Sequence, residues 1–79
     1  KPFHYSDSAS VVLSQTWIDT SDIKASLRYG DVDFSRSNKQ QTTGGKLYVV
    51  EGKTKENIEI DLYLTNFTDK VVLDKIVKK

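Results

Sequence analysis

Ser21-Asp22-Ile23-Lys24-Ala25-Ser26-Leu27-Arg28-Tyr29-Gly30 fits two periods at once, and the choice between them decides the fold class of this 79-residue chain. With period two, Ile23, Ala25, Leu27 and Tyr29 alternate with Asp22, Lys24, Ser26 and Arg28, and Gly30-Asp31 closes a hairpin onto Val32-Asp33-Phe34. With the helical period, Ser21 caps the start, Asp22 sits in the first turn and Arg28 in the last, where the peptide dipoles favour them. Ile23 and Leu27 then form an i, i+4 pair, and Gly30 takes the left-handed position that ends many helices. Ala, Leu, Lys and Arg are good helix formers, and β-branched residues are scarce in the stretch.

The C-terminal half settles the matter by what it requires. Ile58, Ile60, Leu62 and Leu64 alternate with Asn57, Glu59, Asp61, Tyr63 and Thr65, the strongest strand pattern in the chain. Upstream, Leu47 and Val49 share a face, and the polar Gly52-Lys53-Thr54-Lys55-Glu56 predicts a turn joining strands 46–51 and 57–65 as antiparallel neighbours. Asn66-Phe67-Thr68-Asp69 is a second turn. Val71-Val72-Leu73 and Ile76-Val77 form the last strand, with a bulge at Asp74-Lys75 where the apolar parity changes. A meander with one apolar face needs a cover, and the N-terminal third is the segment able to supply it.

The fold read from the sequence is therefore α+β: two short helices, 7–18 and 21–29, on a three- to four-stranded antiparallel sheet, with an all-β hairpin array as the alternative. In the first helix Ala9, Val12, Leu13, Thr16 and Trp17 form one stripe, below a Ser or Asp cap within Ser6–Ser8. Val32–Phe34 adds a short edge strand. The whole chain reads as one small domain: a loose N-terminus at 1–6, a helical region at 7–29, a polar loop at 35–45 closed by Gly44-Gly45, and the meander at 46–77.

Composition excludes several functions. The chain has no cysteine and one histidine, His4, so thiol nucleophiles, disulfides, Cys/His metal sites and a Ser-His-Asp triad in the body of the fold all lack their residues. A net charge of +1 argues against a nucleic-acid partner, and no apolar run approaches the roughly 18 residues that span a bilayer. No cofactor or metal is implied. Asp31 and Asp33 flank Val32 but lack the calcium-loop pattern, and read as turn acids. The chain begins Lys1-Pro2-Phe3 without an initiator Met, which places any signal or anchor in a segment outside it, and its Lys, Thr, Asn and Ile usage resembles that of low-GC bacteria.

The order of features also carries a resemblance. Leu27-Arg28-Tyr29-Gly30-Asp31-Val32 ends the helical region, a polar stretch closes on Gly44-Gly45, and Tyr48-Val49-Val50-Glu51-Gly52-Lys53 precedes the alternating strand and a closing strand. Over about residues 8–77 this resembles the soluble domain of the cytochrome oxidase assembly factor and Tim-type membrane-tethered family. The second turn glycine of that pattern is absent, and the tryptophan that opens its last strand is replaced near Lys70-Val71. The resemblance implies an extracytoplasmic, membrane-anchored interaction domain without catalysis.

The residues singled out for partner contact are Tyr48, Tyr63, Asp61, Arg36 and Lys39. Tyr48 and Tyr63 are read as outward aromatics on adjacent strands, and Asp61 with Glu59 as outward charges of the strongest strand. Arg36 and Lys39 belong to the polar loop, whose basic residues read as solvated. Asn66-Phe67-Thr68 is a formal glycosylation sequon. The expected function is a non-catalytic extracytoplasmic or secreted binding or assembly domain with a protein partner, reaching a membrane only through a segment absent from this chain. The alternative is a small secreted inhibitor or toxin acting through loop 35–45.

Overall fold

The computed structural model describes residues 2–37, 39–40 and 44–79. Its elements run β1 (Phe3–Tyr5), α1 (Asp7–Leu13), α2 (Thr20–Tyr29), β2 (Asp31–Val32), β3 (Lys39–Gln40), β4 (Lys46–Lys53), β5 (Glu59–Asn66) and β6 (Val71–Lys78). The strands lie in the order β1-β6-β5-β4-β2, with β3 pairing further along the same edge of β4 as β2. Two helices on one sheet make this an α+β fold, and the sheet has five strand positions, not three to four.

The stretch that decided the fold class is a helix, but its ends differ from the sequence reading. Asp19, not Ser21, caps α2: its side chain accepts from the backbone of Ser21 and Asp22, while Asp22 Oδ2 accepts from the Asp19 N–H at 3.0 Å. This reciprocal capping box satisfies donors that the first turn leaves open. Gly30 is not left-handed, with φ −75° and ψ 178°, so the chain leaves the helix extended and enters β2 directly. Glycine is required there by crowding, since a Cβ would lie 2.4 Å from the Glu51 carbonyl oxygen and 2.5 Å from that of Ser26. The buried face of α2 is Asp22, Ile23 and Ser26, whereas Leu27 stays 39 % exposed. Ser26 packs where Gly52 has no side chain, so the helix approaches β4 too closely for a larger residue.

Helix α1 ends at Leu13, well short of residue 18. Ser6 is its cap, accepting from Ala9 N at 3.1 Å. At the other end the Ser14 hydroxyl donates to the Val11 carbonyl at 2.6 Å, offering the backbone a local alternative to another turn. Trp17 therefore reaches the core from a turn and not from a helical stripe, with its ring half-buried beneath the Lys78 ammonium.

Residues 3–5, expected to be loose, form β1, which pairs in parallel with β6 and aligns Phe3 with Val71 and Tyr5 with Leu73. The sheet is thus mixed, not wholly antiparallel. His4 is exposed on this edge strand. The β4–β5 turn lies at 54–58, because Asn57 adopts a left-handed φ of 65° and Thr54 Oγ1 accepts from Glu56 N and Ile58 N. That shift lets β4 run on to Lys53. The bulge in β6 is present: Tyr63 pairs with Lys75 and Leu64 with Leu73, leaving Asp74 as the extra residue.

Alternation divides β4 and β5 between two faces. Val50, Ile60, Leu62 and Leu64, with Leu73 and Ile76 of β6, face the helices and form the core with Ala9, Ile18 and Ile23. Leu47, Val49, Glu51, Asp61, Tyr63 and Thr65 point the other way. Tyr48 pairs with Leu64 and Tyr63 with Val49, so the two tyrosines lie on opposite faces and do not form a cross-strand pair.

Candidate functional site

Among the described residues no helix lies across the second sheet face, which α1 borders through Ser8 beside Leu47, Tyr63 and Thr65. The cover of this face is the turn at residues 33–37, and the sequence of that turn accounts for its geometry. Asp33 Oδ1 accepts from Ser35 N at 3.0 Å and Ser35 Oγ at 2.6 Å, the side-chain turn that Asp favours. Asp33 N donates to the Val49 carbonyl at 2.8 Å, and Ser37 Oγ accepts from Val49 N at 2.9 Å, which ties both ends of the turn to β4. Val49 is fully buried beneath it.

Arg36 lies at the centre. Its Nε donates to Asp33 Oδ2 at 2.6 Å, its Nη2 to Glu51 Oε2 at 3.2 Å, and its Nη1 to both Asp61 Oδ2 and the Tyr63 hydroxyl at 3.2 Å. Its guanidinium carbon is 6.0 Å from the Tyr63 ring centroid, and Lys75 Nζ is 4.8 Å from the same ring. The five donors of a guanidinium serve all four acceptors, one more than the three donors of an ammonium could. Hydrogen bonds from Ser35 and then Arg36 hold the Asp33 carboxyl down at about 2, and those to Asp33 and Asp61 push the Arg36 guanidinium above its ordinary value.

Of the five residues proposed from the sequence, the structure brings Arg36, Asp61 and Tyr63 together. Asp61 is not an outward surface charge: it is 6 % exposed, and Arg36 is bound to it instead of solvated. Tyr48 lies on the helix face. Lys39 lies on β3, exposed and opposite Leu47, and joins none of these contacts among the described residues. The rest of the 35–45 loop reading falls partly on residues 38 and 41–43, outside the described residues.

Asp33, Glu51 and Lys79 complete the cluster: Asp33 reads from the sequence as a turn acid, and it is one, whereas Glu51 and Lys79 were missed. Lys79 Nζ lies 3.4 Å from Asp61 Oδ1 and 3.8 Å from Glu51 Oε1. The signal for Glu51 was its parity with Val49. Its partner Asp61 depended on the hairpin register, which the displaced turn changed. Among the described residues no group of three or more acidic, His or Cys side chains converges to hold a metal ion, and no helix is long and apolar enough to cross a membrane.

Three exposed apolar side chains lie beside this cluster. Phe34, at the tip of the ion-paired turn, is 84 % exposed; Tyr29, at the end of α2, is 77 % exposed; and Val32 on the edge strand is 39 % exposed. Comparison with protein-family models, curated proteins and solved structures finds no match to this chain.

Proposed function

We propose that this chain is a non-catalytic binding domain that acts by protein–protein contact, with the free β2 edge and its three apolar side chains as the contact surface. The observation that carries this reading is the position of Phe34. A turn held by ion pairs to Asp33, Glu51 and Asp61 presents an aromatic ring to solvent, where it adds nothing to the core. An anchor fixed before binding loses little conformational freedom on binding, and exposed aromatics on rigid supports are the residues on which interface affinity concentrates. An extracytoplasmic, membrane-tethered setting belongs to the same proposal and rests on the resemblance over residues 8–77; a transmembrane or lipoprotein anchor encoded upstream supports it.

A photo-crosslinking amino acid placed at Phe34, and separately at Val11, tests the contact surface in cells. Val11 is 63 % exposed on α1 and serves as the control. A discrete adduct from position 34 that is absent from position 11 is the expected result. Identical adducts from both positions, or none from position 34, overturns the reading.

A further inference from the structure

Glu51 and Asp61 are direct cross-strand partners, an arrangement of like charges that destabilises a sheet unless cations intervene. Arg36 takes one oxygen of each, Glu51 Oε2 and Asp61 Oδ2, both at 3.2 Å. The other two oxygens face Lys79, whose Nζ is 3.8 Å from Glu51 Oε1 and 3.4 Å from Asp61 Oδ1. Both separations exceed the roughly 2.7–2.9 Å of a charge-assisted hydrogen bond. Asp61 is more than nine-tenths buried, and its Oδ1 has no hydrogen-bond donor among the described residues. Buried carboxylate oxygens are normally supplied with donors, so an oxygen with only a loosely placed ammonium in front of it is a vacant acceptor.

Lys79 is also one wall of a cavity of about 360 Å³ at the end of α2, lined further by Tyr29, Asp31, Glu51, Lys53 and Glu59. That volume lies within the range of small-ligand sites. We propose that this cavity receives the ammonium of a lysine side chain from the protein partner, and that Lys79 is an internal placeholder which the incoming lysine displaces. The inference rests on the β2 edge being the docking surface, to which Tyr29 and Asp31 both belong.

Charge and geometry select lysine. With the Lys79 ammonium moved aside, the lining keeps three carboxylates, Asp31, Glu51 and Glu59, against Lys53, and Asp61, behind Lys79 and outside the lining, shares Arg36 with Glu51. Arg36 already holds the outer oxygen of each carboxylate, and the place before the two inward ones is one that an ammonium fills: Lys79 Nζ stands 3.4 Å from Asp61 Oδ1 and 3.8 Å from Glu51 Oε1. The exposed Tyr29 ring offers an apolar and cation-attracting wall for the stem.

The test is an amide NMR titration of the whole chain with Nα-acetyl-lysine N-methylamide at constant ionic strength. The Nε-acetylated compound and putrescine are the controls. Saturable shifts at Tyr29, Glu51 and Asp61 are expected with the free lysine derivative and not with its Nε-acetylated form. Lys79→Ala should tighten binding about two- to fivefold, the range of one exposed ion pair, and Glu51→Gln should weaken it. Equal responses to both lysine derivatives, or unchanged affinity in Lys79→Ala, overturn the inference. Tighter binding of putrescine assigns the cavity to free diamines and overturns it too. Phe34 lies outside the cavity lining, so cross-linking at position 34 without lysine binding overturns this inference and leaves the contact surface standing.

Discussion

The two faces of β4 and β5 are built from alternate residues of the same strands, yet they are closed by different forces. On one face Ile60 and Leu62 are fully buried under α1 and α2, and the contact is apolar. On the other, Asp61 is nearly as buried, but beneath Arg36 and Lys79, whose side chains are 37 % and 38 % exposed. Burial alone does not distinguish the faces; what covers them does. The helix face supplies most of the stability, because removing apolar area from water is strongly favourable and insensitive to salt or pH. The ion-paired face offsets the desolvation of its carboxylates and contributes modest stability. Its result is positional: the 33–37 turn is fixed, and with it Phe34.

The comparison breaks first at Leu62. Leu62→Ala should lower unfolding free energy by about 3 kcal/mol in urea denaturation, with the transfer loss and the cavity both contributing. Asp61→Ala, one residue away on the other face, should cost about 1–2 kcal/mol. That smaller loss has two causes: Arg36 keeps Asp33 and Glu51 as partners, and the mutation removes a like-charge neighbour of Glu51. The Asp61→Ala loss should shrink further in high salt, while that of Leu62→Ala should not. Equal losses for the two variants, or equal salt responses, would mean that the faces are not closed by different forces.

The smallest effect concerns acid. The Asp33 carboxyl is held at about 2, below its ordinary 3.8, so the unfolded chain binds the proton first as pH falls. Its contribution is complete above about pH 4 and is lost as pH falls through about 2. Asp19, held low by Lys55 and then by Ser21, acts in the same direction at lower pH. Denaturation midpoints at pH 5, 3 and 2 should therefore decline, and Asp33→Asn should flatten that decline while leaving the Asp19 portion. An unaltered profile in Asp33→Asn would show that the turn is held without its carboxylate.

The alternation of residues 57–65 and the parity break at Asp74-Lys75 located β5 and the bulged β6 directly, because strand periodicity is a local property. The helical character of 21–29 was legible through capping residues and through the meander's need for a cover. Its buried face was not: Ser26 replaced Leu27 because Gly52, distant in sequence, left room for close approach. The parallel pairing of β1 had no local signal, since Phe3-His4-Tyr5 takes its register from a strand near the other end of the chain. Asp61 and Tyr63 were read onto one outward face of β5 and Arg36 into a solvated loop, so the hydrogen bonds of Arg36 to both were not expected.

The sequence by itself determined the strands of the C-terminal meander, the bulge in β6, which face of β5 is apolar, and that the chain holds no cysteine and one histidine. These follow from side-chain types and their spacing along the chain. Only the tertiary structure decided that Glu51 stands opposite Asp61, that Arg36 and Lys79 enclose them, and that Phe34 is left in solvent. Those relations depend on a hairpin register moved by the left-handed Asn57 and on contacts between residues 15 to 28 positions apart. A pairing of charges across a sheet is a property of the register, and spacing along one strand does not carry it.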